Sequence, residues 1–237
     1  MAHRSAGEAT LVAALLALLA AAIGAVSIRT SGIYFIMITL AFTQMLYYLG
    51  ISIEEYGGDD GMRLAAKSQF SGLVDIGNPT SFYYLVLGLL IACLWFSHRL
   101  VNSRFGMVIR ASKSNDPRTR AIGFSPYLYR LAAFVIAGGM CGLAGALLVN
   151  QTAYLTPEFM NWTRSGELMF MVIMGGMATT AGPVLGAFAL LFLEDGLSAM
   201  TQHWQIILGP ILILVVLFAK RGLAGLLPEE RKGGGHG

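Results

Sequence analysis

The sequence predicts an all-α protein that crosses a membrane several times, and three observations support this prediction. Of its 237 residues, 56% are hydrophobic and only 12% are charged, whereas a soluble domain carries about twice that charged fraction. Several apolar stretches are long enough to cross about 30 Å of hydrocarbon as helices. The basic residues lie between these stretches, so we expect the chain to face a lipid bilayer and not a nucleic acid.

We expect about five full spans and one broken hairpin, in a single transmembrane domain that covers residues 1–237. The full spans are predicted at 9–28, 33–51, 82–98, 131–150 and 204–219. The first run superficially resembles a signal peptide, but it is too long and lacks a convincing cleavage site, which favours a retained span.

The stretch 168–193 is uncharged, but glycine and proline interrupt it at Gly175, Gly176, Gly182 and Pro183. As one continuous span it would carry the basic end of the chain to the outer side, which the positive-inside rule disfavours. We therefore predict a re-entrant hairpin that enters from outside, turns near residues 178–182 and returns. Its first arm, residues 166–177, would rise only about 18 Å as a helix, which is too short to cross.

Loop charges predict the orientation in the membrane. Residues 99–130 hold seven basic residues and one acid, which places this segment in the cytoplasm together with the tail 221–237. Residues 52–81 are rich in acids and are predicted to lie outside, as is the loop 151–165. The N-terminus then also lies outside, and helices upstream of the first span would explain a basic residue there.

The basic segment contains the signals of a short surface helix. Asn115, Asp116 and Pro117 form a helix start, in which Asp116 can cap exposed N–H groups and Pro117 is tolerated in the first turn. Gly123 is a natural stop, so a helix is predicted over about 117–122. The segment is either a solvated connector with positive-inside charge or a docking element for a cytoplasmic partner.

Polar and small residues inside the spans suggest two further roles. Thr39, Thr43 and Gln44 lie on adjacent turns of the second span. They would either line a path for a polar solute or hydrogen-bond to other helices. Gly138 and Gly142 have GxxxG spacing in the fourth span, which allows another helix to approach closely.

Sequence motifs for catalysis are absent. There is no HExxH, GxSxG or phosphate-binding GxxxxGK(S/T) pattern, and the histidines are scattered without metal-ligand spacing. Cys93 and Cys141 lie in apolar runs and are expected to be inert packing residues. The spans carry no acid or base at mid-depth for coupling to an ion gradient. We expect no catalytic residue, metal or cofactor, and an energy source on another chain.

Four stretches carry a resemblance to a known family. They are GIYFIMITLAF from Gly32, SRFGMVIRASKSNDPRTRAIGFSPYLYRLAAFVIAGGMCGLAGAL from Ser103, SGELMFMVIMGGMATTAGPVLGAF from Ser165 and HWQIILGPILILVVLFAKRGLAGLL from His203. In this order they resemble the permease subunits of branched-chain amino acid importers of the ATP-binding cassette (ABC) class. The likeness covers about residues 11–227.

The resemblance implies where the chain meets its partners. The stretch from Asp116 to Gly123 is similar to the family's loop that seats on the ATPase subunits, which implies coupling roles for Asp116, Pro117, Arg120, Ala121 and Gly123. The chain departs from the family in having Ser-Lys-Ser-Asn-Asp-Pro where acids and alanines are commoner. The implied partners are a second permease subunit, two ATP-binding subunits and a periplasmic solute-binding protein.

The expected function is that of a permease subunit in the bacterial plasma (inner) membrane, which imports leucine, isoleucine or valine while partner chains hydrolyse ATP. Related permeases move urea or amides, and the sequence does not separate these small polar solutes. A stand-alone channel or facilitator is the alternative from a different class. An intramembrane enzyme is a third interpretation, and it is disfavoured because the sequence contains no set of catalytic residues.

Overall fold

The structure, a computed structural model, describes residues 17–53, 58–63, 78–176, 179–200, 203, 206–210 and 213–214. Its helices are α1 (Ala17–Ser27), α2 (Ile33–Ser52), α3 (Pro79–Val101), α4 (Arg104–Ser114), α5 (Asp116–Ala121), α6 (Pro126–Thr152), α7 (Trp162–Gly175) and α8 (Gly182–Met200), and residues 206–210 and 213–214 are also helical. Two short strands, β1 (Met62–Arg63) and β2 (Tyr154–Leu155), accompany two 3₁₀ turns, Gly58–Asp60 and Pro157–Met160. The chain divides into two compact units, Met1–Asn161 and Trp162–Gly237, each with its own packing.

The predicted all-α fold is confirmed. Among the described residues, four helices are long and apolar enough to cross a membrane, namely α2, α3, α6 and the part Gly182–Ala199 of α8. The predicted spans 33–51, 82–98 and 131–150 fall in α2, α3 and α6, and the last two helices extend further at both ends. Only the part of the predicted first span that forms α1 is described, and most of 204–219 lies outside the described residues.

The long helices of the first unit expose their apolar side chains. α2 and α3 have no buried residue, and α6 buries only Pro126. Large side chains such as Tyr34 and Trp95 are 72% and 67% exposed. Water-soluble proteins do not expose continuous apolar surfaces of this extent, whereas hydrocarbon solvates them. These helices therefore have the surface of membrane spans.

Local signals fix the ends of the helices. Asn78 Oδ1 accepts a hydrogen bond from the Thr80 amide at 3.1 Å, and Pro79 opens α3. This is the expected order of an N-cap followed by proline. α6 ends at Thr152, and the chain turns into β2 at the following Ala153, whose φ of 51° lies in the left-handed region.

α1 packs against α6 through small residues. A methyl group added at Gly138 would lie 2.8 Å from Ala20 Cβ, so the two helices approach closely at this point. Tyr127 Oη donates a hydrogen bond to Ala25 O at 2.9 Å and links the start of α6 to α1. Gly138 therefore lies at a close contact within this chain, whereas the packing role of the half-buried Gly142 stays a prediction.

The loops at the far end of α6 contact each other. β1 pairs antiparallel with β2, with Met62 opposite Leu155 and Arg63 opposite Tyr154. The hydroxyl of Tyr154 also donates to the backbone oxygen of Asp60. The second 3₁₀ turn lies against the end of α2. The two loops that the sequence predicts to share one side of the membrane thus meet in one structure.

The broken hairpin of the predicted fold is present as α7 and α8. α7 ends at Gly175, Gly176 has a φ of 108°, and a new helix begins at Gly182. Pro183 stands in the first turn of α8, where its missing N–H is tolerated. α8 continues to Met200 and is longer than the return arm expected to end near residue 193. The depth of the turn in the membrane stays a prediction.

Glycine lets α7 and α8 lie unusually close together. Met174 and Leu190 form a buried apolar core in this unit. A methyl group at Gly186 of α8 would overlap with the backbone oxygen of Met171 and the amide nitrogen of Gly175 in α7. Only a residue without Cβ allows the two backbones to approach in this way.

We expect Gly186→Ala to lower stability by about 1–3 kcal/mol, the usual cost of overpacking. Gly196→Ala is the matched control, because Gly196 lies on the same helix with nothing within 4 Å of its added Cβ. It should be neutral or stabilising by up to about 1 kcal/mol, through helix propensity. Thermal unfolding in detergent measures both variants, and equal melting temperatures would contradict the close approach of α7 and α8.

Candidate functional site

The segment between α3 and α6, residues 102–125, folds as two short helices. α5 lies where a helix is predicted, at Asp116–Ala121 instead of 117–122. The charge pattern predicts a loop before it and misses α4. The available signal is the i, i+3, i+4 spacing of Phe105, Val108 and Ile109, which marks one apolar face of a helix.

α5 is capped by Asn115 and not by Asp116, which corrects the sequence-based assignment. Asn115 Oδ1 accepts a hydrogen bond from the Arg118 amide at 3.0 Å, and its extended backbone is typical of an N-cap. Asp116 is the first helical residue, and Pro117 follows it in the first turn. The chain leaves the helix at Gly123, whose φ of 93° lies in a region that glycine adopts readily.

Asp116 is the centre of an ion-pair network that joins α5 to α6. Arg130 Nη2 lies 2.7 Å from Asp116 Oδ1, and Arg120 Nη2 lies 2.9 Å from Asp116 Oδ2. Arg130 Nη2 also donates to Ser112 O, in the last turn of α4, at 3.3 Å, where the helix dipole favours a cation. One guanidinium on α6 therefore holds the end of α4 and the start of α5.

Buried hydroxyls and aromatic rings complete the support of this segment. Ser112 and Thr119 are buried, and each hydroxyl donates to a backbone oxygen of the preceding turn. The ring centroid of Tyr129 on α6 lies 5.5 Å from that of Phe105 on α4 and 6.1 Å from that of Phe124 after α5. These distances are typical of favourable aromatic pairs, so α4 and α5 are fixed to α6 at several points.

The outward surface of α5 is open and positively charged. Of the predicted coupling residues, Asp116 is half-buried in the ion-pair network, and the other four are exposed: Pro117, Arg120, Ala121 and Gly123. Ile122 is 70% exposed beside them and adds an apolar contact. An acidic partner surface can bind to this basic surface. Because α5 is fixed to α6, a movement of the partner would be transmitted to α6.

Arg130 is the functional candidate that sequence reasoning misses. It lies 14 residues from Asp116, and the sequence shows it only as one of seven basic residues. The signal was that the segment holds a single acid, because a lone carboxylate among cations is the natural centre of an ion-pair network.

The threonine side chains of α2 are hydrogen-bonded within the helix. Thr39 Oγ1 donates to Phe35 O at 3.0 Å, and Thr43 Oγ1 donates to Thr39 O at 2.9 Å. Thr39, Thr43 and Gln44 are half-buried. Hydroxyls bonded to the preceding turn lower the cost of an apolar environment. The role of these three residues in a translocation path stays a prediction.

Long apolar helices that face hydrocarbon, joined by a rigid basic element, define a polytopic membrane protein. The profile of the family described as "Branched-chain amino acid transport system / permease component" matches residues 7–217. The chain therefore belongs to this family of transport components. Together with its four helices of spanning length, this membership makes it a multi-pass protein of the bacterial inner membrane.

The chain is similar to several curated permease proteins. It is 25% identical over 228 residues to the high-affinity branched-chain amino acid transport system permease protein LivM of Escherichia coli (strain K12), covering 86% of this chain and 54% of that protein. It is 32% identical over 148 residues to the xylose transport system permease protein XylH of the same organism, covering 59% and 37%. It is 29% identical over 189 residues to the autoinducer 2 import system permease protein LsrC of Salmonella paratyphi B, covering 73% and 52%. The chain spans about half the length of the LivM proteins it matches, and no solved structure matches it.

We expect the coupling free energy between Asp116 and Arg130 to exceed that between Asp116 and Arg120. The Arg120 pair is an i, i+4 pair with an exposed guanidinium inside one helix, and such pairs contribute about 0.3–0.5 kcal/mol. The Arg130 pair joins two helices and is partly buried, which predicts about 1 kcal/mol. Double-mutant cycles with D116N, R130Q and R120Q, measured by thermal unfolding, give both values. Equal coupling energies would contradict the special role of Arg130.

Proposed function

We propose that this chain is a transmembrane permease subunit of an ABC importer and that α5 seats on an ATP-binding partner. The observation that best supports this is α5 itself, a capped helix that is ion-paired to α6 and exposes a basic surface. Membership of a transport family supports the same reading. ATP hydrolysis then belongs to two partner chains, and a second permease subunit and a periplasmic solute-binding protein complete the proposed importer.

The proposed mechanism passes movement from the partner into the spans. Closure of the ATP-binding chains would displace α5. Arg130 lies in the second turn of α6 and binds both α5 and the end of α4, so a displacement reaches α6 directly and α3 through α4. A flexible loop would absorb the same movement.

For the solute we propose a branched-chain amino acid, because the similarity to LivM covers most of the chain. A sugar or sugar-like solute is the second candidate, because the XylH and LsrC permeases also match. The two classes need different paths, since a sugar site must satisfy many hydroxyls and a leucine site must accept an apolar side chain. ATP-dependent uptake of labelled leucine and xylose into vesicles that hold the assembled importer would separate them. Xylose uptake without leucine uptake would favour the second candidate.

We expect the segment 102–125 to face the cytoplasm and the β1–β2 pair to face the other side, because of their loop charges. Ser114→Cys replaces an exposed residue in the segment 102–125, and Glu158→Cys replaces an exposed residue in the loop after β2. Both variants are made in a background that lacks Cys93 and Cys141. A membrane-impermeant thiol reagent applied to intact cells should label position 158 and not position 114. Labelling of position 114 from outside would overturn the proposed orientation.

We expect Gly123→Val to reduce transport about tenfold or more, because a β-branched residue is strained at positive φ. Gly123→Asn is the matched control at the same site, since asparagine visits positive φ more readily, and nothing within 4 Å would obstruct either side chain. Arg120→Glu should also weaken docking if the partner surface is acidic. Uptake and ATPase rate in vesicles measure all three variants. Unchanged transport in Gly123→Val and Arg120→Glu would leave the segment as a solvated connector.

A further inference from the structure

A basic cleft lies at the corner where α3 meets α4. It is lined by His98, Arg99, Asn102, Ser103 and Arg104, is open on one side, and has a volume of about 450 Å³. This volume is within the range of small-molecule sites. None of these residues belongs to the Asp116 network, so the cleft is separate from the surface of α5.

The cleft holds two positive charges, and no acid among the described residues is paired with either of them. Within the part of the chain that the structure describes, neither Arg99 nor Arg104 has an ion-pair partner, whereas Arg120 and Arg130 share Asp116. Guanidinium groups bind phosphate oxygens strongly, because their planar forks match the geometry of the anion. An unneutralised pair of arginines in one cleft therefore favours a phosphate-bearing ligand.

The start of α4 adds to this preference. Asn102 Nδ2 lies 3.0 Å from His98 Nε2. The hydroxyl of Ser103 donates to Leu100 O at 2.6 Å and does not cap α4. The first turn of α4 also contains no acid. The first amides of α4 thus keep their positive character, which attracts anions.

The position of the cleft on α3 indicates its depth in the membrane. Trp95 lies one turn before Arg99 and is 67% exposed, and Ile91, a further turn back, is 58% exposed. Indole rings collect at the boundary between hydrocarbon and water. Basic residues one turn beyond an exposed tryptophan, at the end of a span with no buried residue, therefore lie at the depth of the lipid headgroups.

We propose that this cleft binds the phosphate of an anionic phospholipid headgroup. Arg99 and Arg104 contact the phosphate, while Trp95 and the apolar surface of α3 contact the acyl chains of the same lipid. A free phosphate compound would contact the two arginines but not the apolar surface of α3. A phospholipid contacts both the arginines and the apolar surface.

Trp95 itself can report the lipid beside it. The chain has three tryptophans, so the full chain with Trp162→Phe and Trp204→Phe keeps Trp95 alone. It is reconstituted in phosphatidylcholine vesicles in which brominated phosphatidylglycerol or brominated phosphatidylcholine replaces increasing fractions of the lipid. Bromine on the acyl chains quenches indole fluorescence at contact. Each arginine near an anionic lipid is worth about fivefold in affinity, so we expect a preference for phosphatidylglycerol of about tenfold or more.

Paired variants test the cleft against general surface charge. Arg99→Gln with Arg104→Gln should bring the preference close to one, and lysine at both positions should restore most of it. Arg110→Gln with Arg118→Gln removes the same charge from exposed positions outside the cleft and should leave the preference unchanged. An equal loss in both glutamine pairs, or no preference in the parent, would overturn the proposal.

A competition experiment distinguishes the two sources of phosphate. Inorganic phosphate at millimolar concentration should not relieve the quenching by brominated phosphatidylglycerol. If it does, the cleft takes a free phosphate compound and the lipid assignment is wrong. The measurement uses neither ATP nor a partner chain, so its failure would leave the proposed transport function untouched.

Discussion

The long helices depend on being surrounded by hydrocarbon. In this solvent, apolar burial contributes less to stability than in water, and backbone hydrogen bonding becomes obligatory. Burial of apolar side chains gains little where the surroundings are equally apolar, and α2 and α3 indeed bury none. Backbone groups must instead be satisfied within each helix, and the hydroxyls of Thr39 and Thr43 follow the same rule. Association between helices must then come from close contact, which explains the glycines at Gly138 and Gly186, where neighbouring helices touch.

The segment between α3 and α6 is held together by different interactions. Its helices are too short and too polar to be stable alone, so they depend on bonds to α6. The ion pair between Asp116 and Arg130, the bond from Arg130 to Ser112 O and the rings around Tyr129 fix both helices at once. Each of these contacts is modest by itself, but together they leave α5 little freedom to move independently of α6.

The sequence predicts those features that depend on composition over many residues, and it misses those that depend on where one helix ends. Long stretches without charged residues identify α2, α3 and α6, and the paired glycines identify the break before Gly182. Both signals are local and strong. Asn115 and Asp116 are equally good capping residues, and only the backbone conformation decides between them. The contact of Arg130 with Asp116 is missed, because α6 begins at Pro126 and not near residue 131. That extra turn brings Tyr129 and Arg130 into contact with α4 and α5, and Tyr127 into contact with α1.

The pairing of β1 with β2 has a consequence for how the chain is made. A ribosome delivers Met62 long before Leu155, its partner in the ladder, so β1 emerges into an environment where no partner strand yet exists. α3, α4, α5 and α6 must all be synthesised, and both long helices must be inserted in the correct direction, before the two strands can meet. Contacts between residues so far apart in sequence form late because the chain between them must be ordered first. Closure of this small ladder is therefore a late step of folding, since it requires α3 and α6 to run in opposite senses between the two strands.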